Sequence, residues 1–283
     1  MLTTELVKKI QDFVYTKPRT IQELAQHIGK NWRTADRYVE RIAEEYGTIA
    51  TRTFREGTRG ALKIVYWCSI EHIHSTSFQE KLFEEIARGK RKEDFSPFDI
   101  YQLVPETKKE AFLEEQEYES STAMNRDLLK ILKEAKKQIL LFSGNLSWTN
   151  ISQDGVKFLE ILEELADRGI SIKVLTRVDL PALENTKKMF AINSRLKKNM
   201  IEIRHREHPL RAIIVDNKIA RFKEEKNPEQ EKGGKKKVFI FYNVYDREWI
   251  EWLQKVFWNL FTTAISAEKR IKELESIQNI KKR

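Results

Sequence analysis

The chain has 283 residues, 40% apolar and 34% charged, and a net charge of +9, which suits two domains with buried cores and favours an anionic partner, nucleic acid or membrane surface. Its single cysteine, Cys68, excludes an internal disulfide and a cysteine-built metal cluster. No run approaches about 18 consecutive apolar residues, so no transmembrane helix is expected; Met1 to Tyr15 is amphipathic rather than a secretory leader, so a cytoplasmic protein is expected.

Thr20-Ile21-Gln22-Glu23 has the spacing of a capping box. Leu24, Ala25 and Ile28 follow on one helical face. Gly29-Lys30-Asn31 supplies a turn, and Asn31 is placed to cap the next helix. That helix carries Ala35, Val39 and Ile42 inward and Lys30, Arg33, Thr34, Arg37 and Arg41 outward. Thr48 to Phe54 alternates like a strand. Arg55 to Gly60 is a glycine-bounded hairpin tip, and Ala61 to Trp67 is a second strand. Residues 1–68 therefore read as a winged helix-turn-helix, holding 12 Lys and Arg against 8 Asp and Glu. A short helix with a cationic outer face suits a DNA major groove. Arg33, Thr34 and Arg37 are expected near bases, and Lys30, Arg55 and Arg59 near phosphates, with Asn31 in the same set. A solvated basic helix, or a winged helix that binds only protein, is the alternative.

Residues 69–122 read as a helical connector and the place for a hinge. Ser77 to Arg88 is amphipathic, Gly89 to Asp94 is a charged break, and Ser96-Pro97 and Val104-Pro105 interrupt the chain. Thr107 to Glu119 is strongly charged and is expected to be helical.

From Ala123 helices and strands alternate. Helices are expected at Arg126–Lys137 and Gly155–Arg168, with Pro181 in the first turn of another. Strands are expected at Gln138–Phe142, Ile170–Thr176, Met200–Arg204, Leu210–Val215, Lys218–Phe222 and Val238–Tyr242. Lys223 to Lys237 reads as a loop around Gly233-Gly234. The alternation argues for a largely parallel sheet covered by helices. Asp246 to about Ile280 reads as one long helix. Its Ile250, Leu253, Phe257, Leu260, Ala264, Ala267, Ile271 and Leu274 form a heptad seam. The second half of that seam has either a partner chain or nothing.

The order of elements after Ala123 resembles the phospholipase D-like domain of archaeal transcription regulators of the TrmB type. The resemblance runs from Gln138-Ile-Leu-Leu-Phe-Ser-Gly-Asn145 through Gly169-Ile-Ser-Ile-Lys-Val-Leu-Thr176 to Asp216 and the helix after Asp246. It implies an α/β fold: a winged helix at 1–68, a mixed-sheet phospholipase D-like domain at 123–262, and a C-terminal helix whose 263–283 portion is a possible coiled coil. Active members of that superfamily carry His, any residue, Lys, four residues and Asp, the histidine attacking phosphorus. The nearest match is His208-Pro209-Leu210-Arg211, then Ala212 to Val215, then Asp216. Arg211 and Asp216 fit the lysine and aspartate positions. Pro209 stands at the nucleophile position and His208 lies one residue early, which on a strand turns the side chain to the opposite face. No second copy of the motif exists. If the site were active, His208, Arg211 and Asp216 would be its catalytic residues, and two chains would have to pool their motifs.

The expected function is a homodimeric DNA-binding regulator, with double-stranded DNA as partner and no membrane. A small effector would sit at a crest of Ser143, Asn145, Arg177 and Arg211. The rivals are a winged-helix-targeted phosphodiesterase or nuclease and a protein-interaction scaffold. His72 and His74, with Glu71, lack assignable further ligands for a metal. No glycine-rich nucleotide loop is present, so no cofactor and no metal are expected. His27 touches a phosphate or nothing, and His205 reads as a polar strand end.

Overall fold

The structure is a computed structural model that describes residues 2–46, 49–55, 61–67, 75–117, 127–150, 152–153, 155–226 and 236–281. Cys68, the wing tip with Arg59, and Glu71, His72 and His74 lie outside the described residues, as does the side chain of Arg55.

The N-terminal unit runs α1 Thr4–Thr16, β1 Arg19–Thr20, α2 Ile21–His27, α3 Trp32–Tyr46, β2 Ile49–Arg55 and β3 Ala61–Trp67. Local chemistry sets its boundaries. Thr20 Oγ1 accepts from Glu23 N at 3.1 Å, and Thr20 N donates to Glu23 Oε2 at 2.6 Å, so the capping box starts α2. Gly29 adopts φ +64° in the turn, which a side chain would strain. Asn31 Oδ1 then accepts from Thr34 N at 2.9 Å and starts α3. Ala35, Val39 and Ile42 are fully buried against Ile10, Leu24 and Val65. The three strands pair antiparallel in the order β1, β3, β2, which makes a winged helix.

Next come α4 Ser75–Arg88, α5 Phe98–Tyr101 and β4 Lys109–Glu117. The charged stretch expected as a helix at 107–119 is thus largely a strand. Its period is two: Leu113 enters the core, with Ala111 packed against it, while Phe112 faces the other way and stacks on Phe241 at 5.2 Å. Glutamates occupy much of the rest, which is tolerable because β4 is an edge strand.

The remaining elements are α6 Leu128–Lys133, β5 Gln138–Ser143, the small hairpin β6 Ser152–Gln153 and β7 Val156–Lys157, α7 Phe158–Asp167, β8 Ser171–Thr176, α8 Leu183–Leu196, β9 Ile201–His205, β10 Ala212–Val215, β11 Ile219–Lys226, β12 Lys236–Val244, α9 Arg247–Thr262, β13 Ile265–Ser266 and α10 Ala267–Lys281. Eight strands form one sheet in the order β13-β9-β8-β5-β10-β11-β12-β4. The fold is α/β with a mixed sheet after the winged helix. The sheet is less parallel than the alternation suggested, because only β5–β8 and β8–β9 run parallel. Beyond β10 the strands follow as antiparallel neighbours: β11 and β12 extend into the stretch expected as a loop.

The long terminal helix is broken. Thr262 and Thr263 turn their hydroxyls back onto the carbonyls of Trp258, Asn259 and Leu260, an alternative to helix continuation. Ile265 and Ser266 then pair with His205 and Arg204 at the sheet edge. The heptad spacing runs through the break, but its residues serve opposite faces of the sheet. Ile250, Leu253, Phe257 and Leu260 pack with Leu140, Phe142, Phe222 and Tyr242. Ala267, Ile271 and Leu274 pack with Ile172, Val174 and Met189. The seam is covered within one chain.

The wing hairpin belongs to two cores. Ile49 and Val65 close the winged helix. Phe54, Leu62 and Ile64 on its other face enter the sheet core with Ile86, Phe98 and Tyr242. The segment expected as a hinge packs into that same core through Leu82, Ile86, Phe95 and Phe98.

Candidate functional site

Lys30 and Asn31 in the turn before α3, and Arg33, Arg37 and Arg41 on it, are exposed, and Thr34 is half-buried. The helix also carries Asp36 and Glu40, which would oppose an anionic partner. Both are bound by one residue of the wing strand: Lys63 Nζ lies 2.6 Å from Asp36 Oδ1 and 2.8 Å from Glu40 Oε1. Those two carboxylates raise the ammonium's affinity for its proton against the opposing effect of burial. The single ammonium offsets one of these two negative charges, while Arg33 and Arg37 remain outward. Trp32, the first residue of α3, is 52% exposed. The outward row read from the sequence did not include it, although an aromatic directly between a cap and an arginine is itself a signal. His27 stacks on Phe13 with centroids 3.8 Å apart, and burial holds its basicity below the ordinary value.

The second constellation lies where β5 and β8 end. Because β10 runs antiparallel to β5, with Ala212 opposite Phe142, its start meets the same edge. This edge is the carboxyl end of the parallel strands, the usual binding side of α/β sheets. Arg211 and Arg177 meet there. Arg211 Nη1 donates to Leu210 O at 2.7 Å and to His208 O at 3.3 Å. Burial, and next the charge of Arg177, push its pKa down to about 10. Arg177 pairs with Asp179 at 2.8 Å. Gly144 lies against the Arg211 guanidinium, so that a Cβ there would stand 2.7 Å from Nη2. A half-buried guanidinium beside a second arginine is an environment that an anion would relieve.

Not all of the expected crest faces outward. Ser143 is buried, and its hydroxyl accepts from Trp148 Nε1 at 2.9 Å and Leu146 N at 3.2 Å. Asn145 Oδ1 accepts from Ser147 N at 3.2 Å and so shapes the turn. The two arginines are the cationic part of the crest.

The motif residues do not converge. His208 is 3% exposed, with Nε2 at 3.0 Å from Leu175 O and its ring edge-on to Phe142. Burial first, then the charge of Arg211, hold its pKa down to about 3. Asp216 sits at the opposite end of β10, where Val215 pairs with Ile139 rather than near Phe142. Its carboxylate accepts from Lys136 N at 2.8 Å and from Lys137 N and Gln138 N at 2.9 Å each. It thus clamps the turn that leads into β5. His205 Nδ1 accepts from Val178 N at 2.9 Å, a structural role at a strand end. Among the described residues, no group of three or more His, Cys, Asp or Glu side chains could hold a metal ion, and no helix is long and apolar enough to cross a membrane.

No family model matches the chain, and no curated protein matches it. Among solved structures it is similar to TrmBL2, an archaeal chromatin protein whose structure shows a novel mode of DNA binding. The identity is 17%, over 94% of this chain and 95% of that one, with a TM-score of 0.41. It is also similar to Nuc of Salmonella typhimurium, a phospholipase D family member, at 12% identity over 56% of this chain and 97% of that one, with a TM-score of 0.38. NucT from Helicobacter pylori gives 11% identity over 56% and 99%, with a TM-score of 0.37.

Proposed function

We propose that this chain is a sequence-specific DNA-binding transcriptional regulator that acts as a homodimer. Residues 1–68 read DNA, and the sheet domain is a catalytically degenerate phospholipase D-like unit that dimerises and senses an anionic small molecule. One observation carries the reading: Lys63 draws Asp36 and Glu40 of α3 to the wing strand and offsets one of their two charges, leaving the arginines Arg33 and Arg37 exposed on the helix. In a winged helix that face is the one offered to the major groove. Arg33 and Arg37 take base edges, with Thr34 beside them. Lys30 and Asn31 approach phosphates, joined by Arg55 and Arg59 of the wing. A homodimer would place two such helices on half-sites of one operator.

The effector is assigned to Arg177 and Arg211, with Gly144 as floor. Because the wing hairpin shares residues with the sheet core, an anion that shifts this edge has a packed route to the reading helix. A binding role is favoured over hydrolysis because a nucleophilic imidazole needs an accessible nitrogen facing phosphorus. His208 instead packs under Phe142 with Nε2 on a backbone carbonyl.

The test is a mobility shift on the DNA upstream of the gene, repeated across salt concentrations. Arg33→Ala/Arg37→Ala should weaken binding more than tenfold and relax the sequence preference, whereas Lys30→Ala should weaken binding evenly across sequences and lower the salt slope by about 1. Binding that persists unchanged in the double variant would remove the reading helix from the proposal. Turnover of a model phosphodiester that disappears in His208→Ala would establish the hydrolase instead.

A further inference from the structure

Trp32 opens α3 with about half of its surface uncovered, whereas Tyr38, the other aromatic side chain described along that helix, is buried. The Arg33 guanidinium lies 5.5 Å from its ring centroid, close enough for a cation–π contact. Lys30 and Asn31, which precede it in the chain, and Arg33, which follows it, are all exposed. An apolar plate between the exposed Lys30 of the turn and Arg33 does not suit an ordinary protein partner, which would have to bury those charges. It does suit the major groove, where phosphates flank the bases and the only apolar group on the base edges is the thymine methyl.

We propose that Trp32 is a specificity-determining residue that packs on a thymine 5-methyl group in the major groove. This rests on the reading of α3 as the DNA-contacting helix. The Asn31 cap holds the first turn of α3, so the indole starts from a defined position. Arg33 alongside gives the plate a donor for an adjacent guanine or phosphate. A polar residue at position 32 would read the O4 or N4 edge of a pyrimidine; an indole face reads the methyl, the group that distinguishes thymine from uracil.

The experiment enriches a duplex from a random-sequence library with the wild-type full chain. Affinities are then measured by fluorescence anisotropy for wild type, Trp32→Ala and Trp32→Phe. Each is tested on the enriched duplex and on versions with single thymines replaced by uracil. One such replacement should weaken wild type about fourfold, the worth of one buried methyl. Trp32→Ala should bind the thymine duplex at least fourfold more weakly and lose the thymine–uracil difference, while Trp32→Phe retains part of it. The salt slope should stay the same in both variants, since no charge is lost. Trp32→Ala that keeps the difference, or wild type indifferent to every replacement, would overturn the assignment. Failure of the wild type to enrich any duplex would instead overturn the DNA reading itself.

Discussion

Replacing Asp216 separates two roles that its place in the motif runs together. A carboxylate working with His208 and Arg211 would matter to ligand handling and little to the fold. The geometry gives the opposite: three backbone N–H groups, of Lys136, Lys137 and Gln138, converge on it at 2.8–2.9 Å. Each bond to a charged group is worth about 1.5–3 kcal/mol alone, but the three share one carboxylate, and water recovers part of the loss in a variant. Asp216 also adopts φ +48°, a left-handed conformation that costs alanine about 1–2 kcal/mol. Together these place the cost of Asp216→Ala at about 4 kcal/mol. For a chain of this size each kcal/mol moves Tm by roughly 2–4 °C, so a fall of roughly 10 °C is expected in a thermal melt followed by circular dichroism. Asp216→Asn keeps one acceptor and tolerates the left-handed backbone, so it should fall about half as far. Asp216→Ala with Tm within 2 °C of wild type, roughly what 1 kcal/mol would produce, and reduced anion binding at the crest would refute the clamp.

Two further outcomes follow from the same edge of the sheet. His208 has a folded pKa of about 3 against an ordinary 6.5, so the unfolded chain takes up the proton first as the pH falls. Its contribution is complete above about pH 6.5 and is lost progressively down to about 3, amounting to about 2 kcal/mol at pH 5. Between pH 7 and 5, urea melts should show wild type losing about 2 kcal/mol relative to His208→Gln; equal pH dependence in both would exclude it. Gly144→Ala pushes a Cβ to 2.7 Å from Arg211 Nη2, the far end of a side chain, which can swing away. The variant should fold with about 1–3 kcal/mol lost, because moving the half-buried guanidinium breaks its bonds to the carbonyls of His208 and Leu210. Inorganic phosphate titrated into wild type should bind, and the variant should bind it several-fold more weakly; unchanged affinity would exclude Gly144 as the floor of an anion site.

What was legible in the sequence was what local chemistry decides. The capping box at Thr20–Glu23, the Asn31 cap and the alternation of Ile49–Arg55 and Ala61–Trp67 each involve neighbours in the chain, so the winged helix could be read directly. The central strands from Gln138 to Val215 were legible for the same reason. β4 was not, because its pairing partner lies about 120 residues away and its glutamates hide the period of two. The break at Thr263–Ser266 was invisible because the apolar spacing continues through it; only the packing shows that Leu260 and Ala267 serve different faces. Arg177 and Arg211 were locatable as strand-end residues. Ser143 was not separable from them, since its burial depends on Trp148 folding back over it. Trp32 escaped because an apolar residue in a helix is expected to point inward.

The pairing of β4 with β12 also has a consequence for synthesis. Glu117 must wait for Lys236, and Lys109 for Val244. At about 5–20 residues per second, β4 leaves the ribosome roughly 6–25 s before its partner exists. During that interval Phe112 and Leu113 have no strand to pair with. The glutamates that disguise this strand then act as its protection, since a charged edge resists joining another chain. The winged helix needs no such wait for its local pairings, so the N-terminal unit can take shape while the other end is still being made.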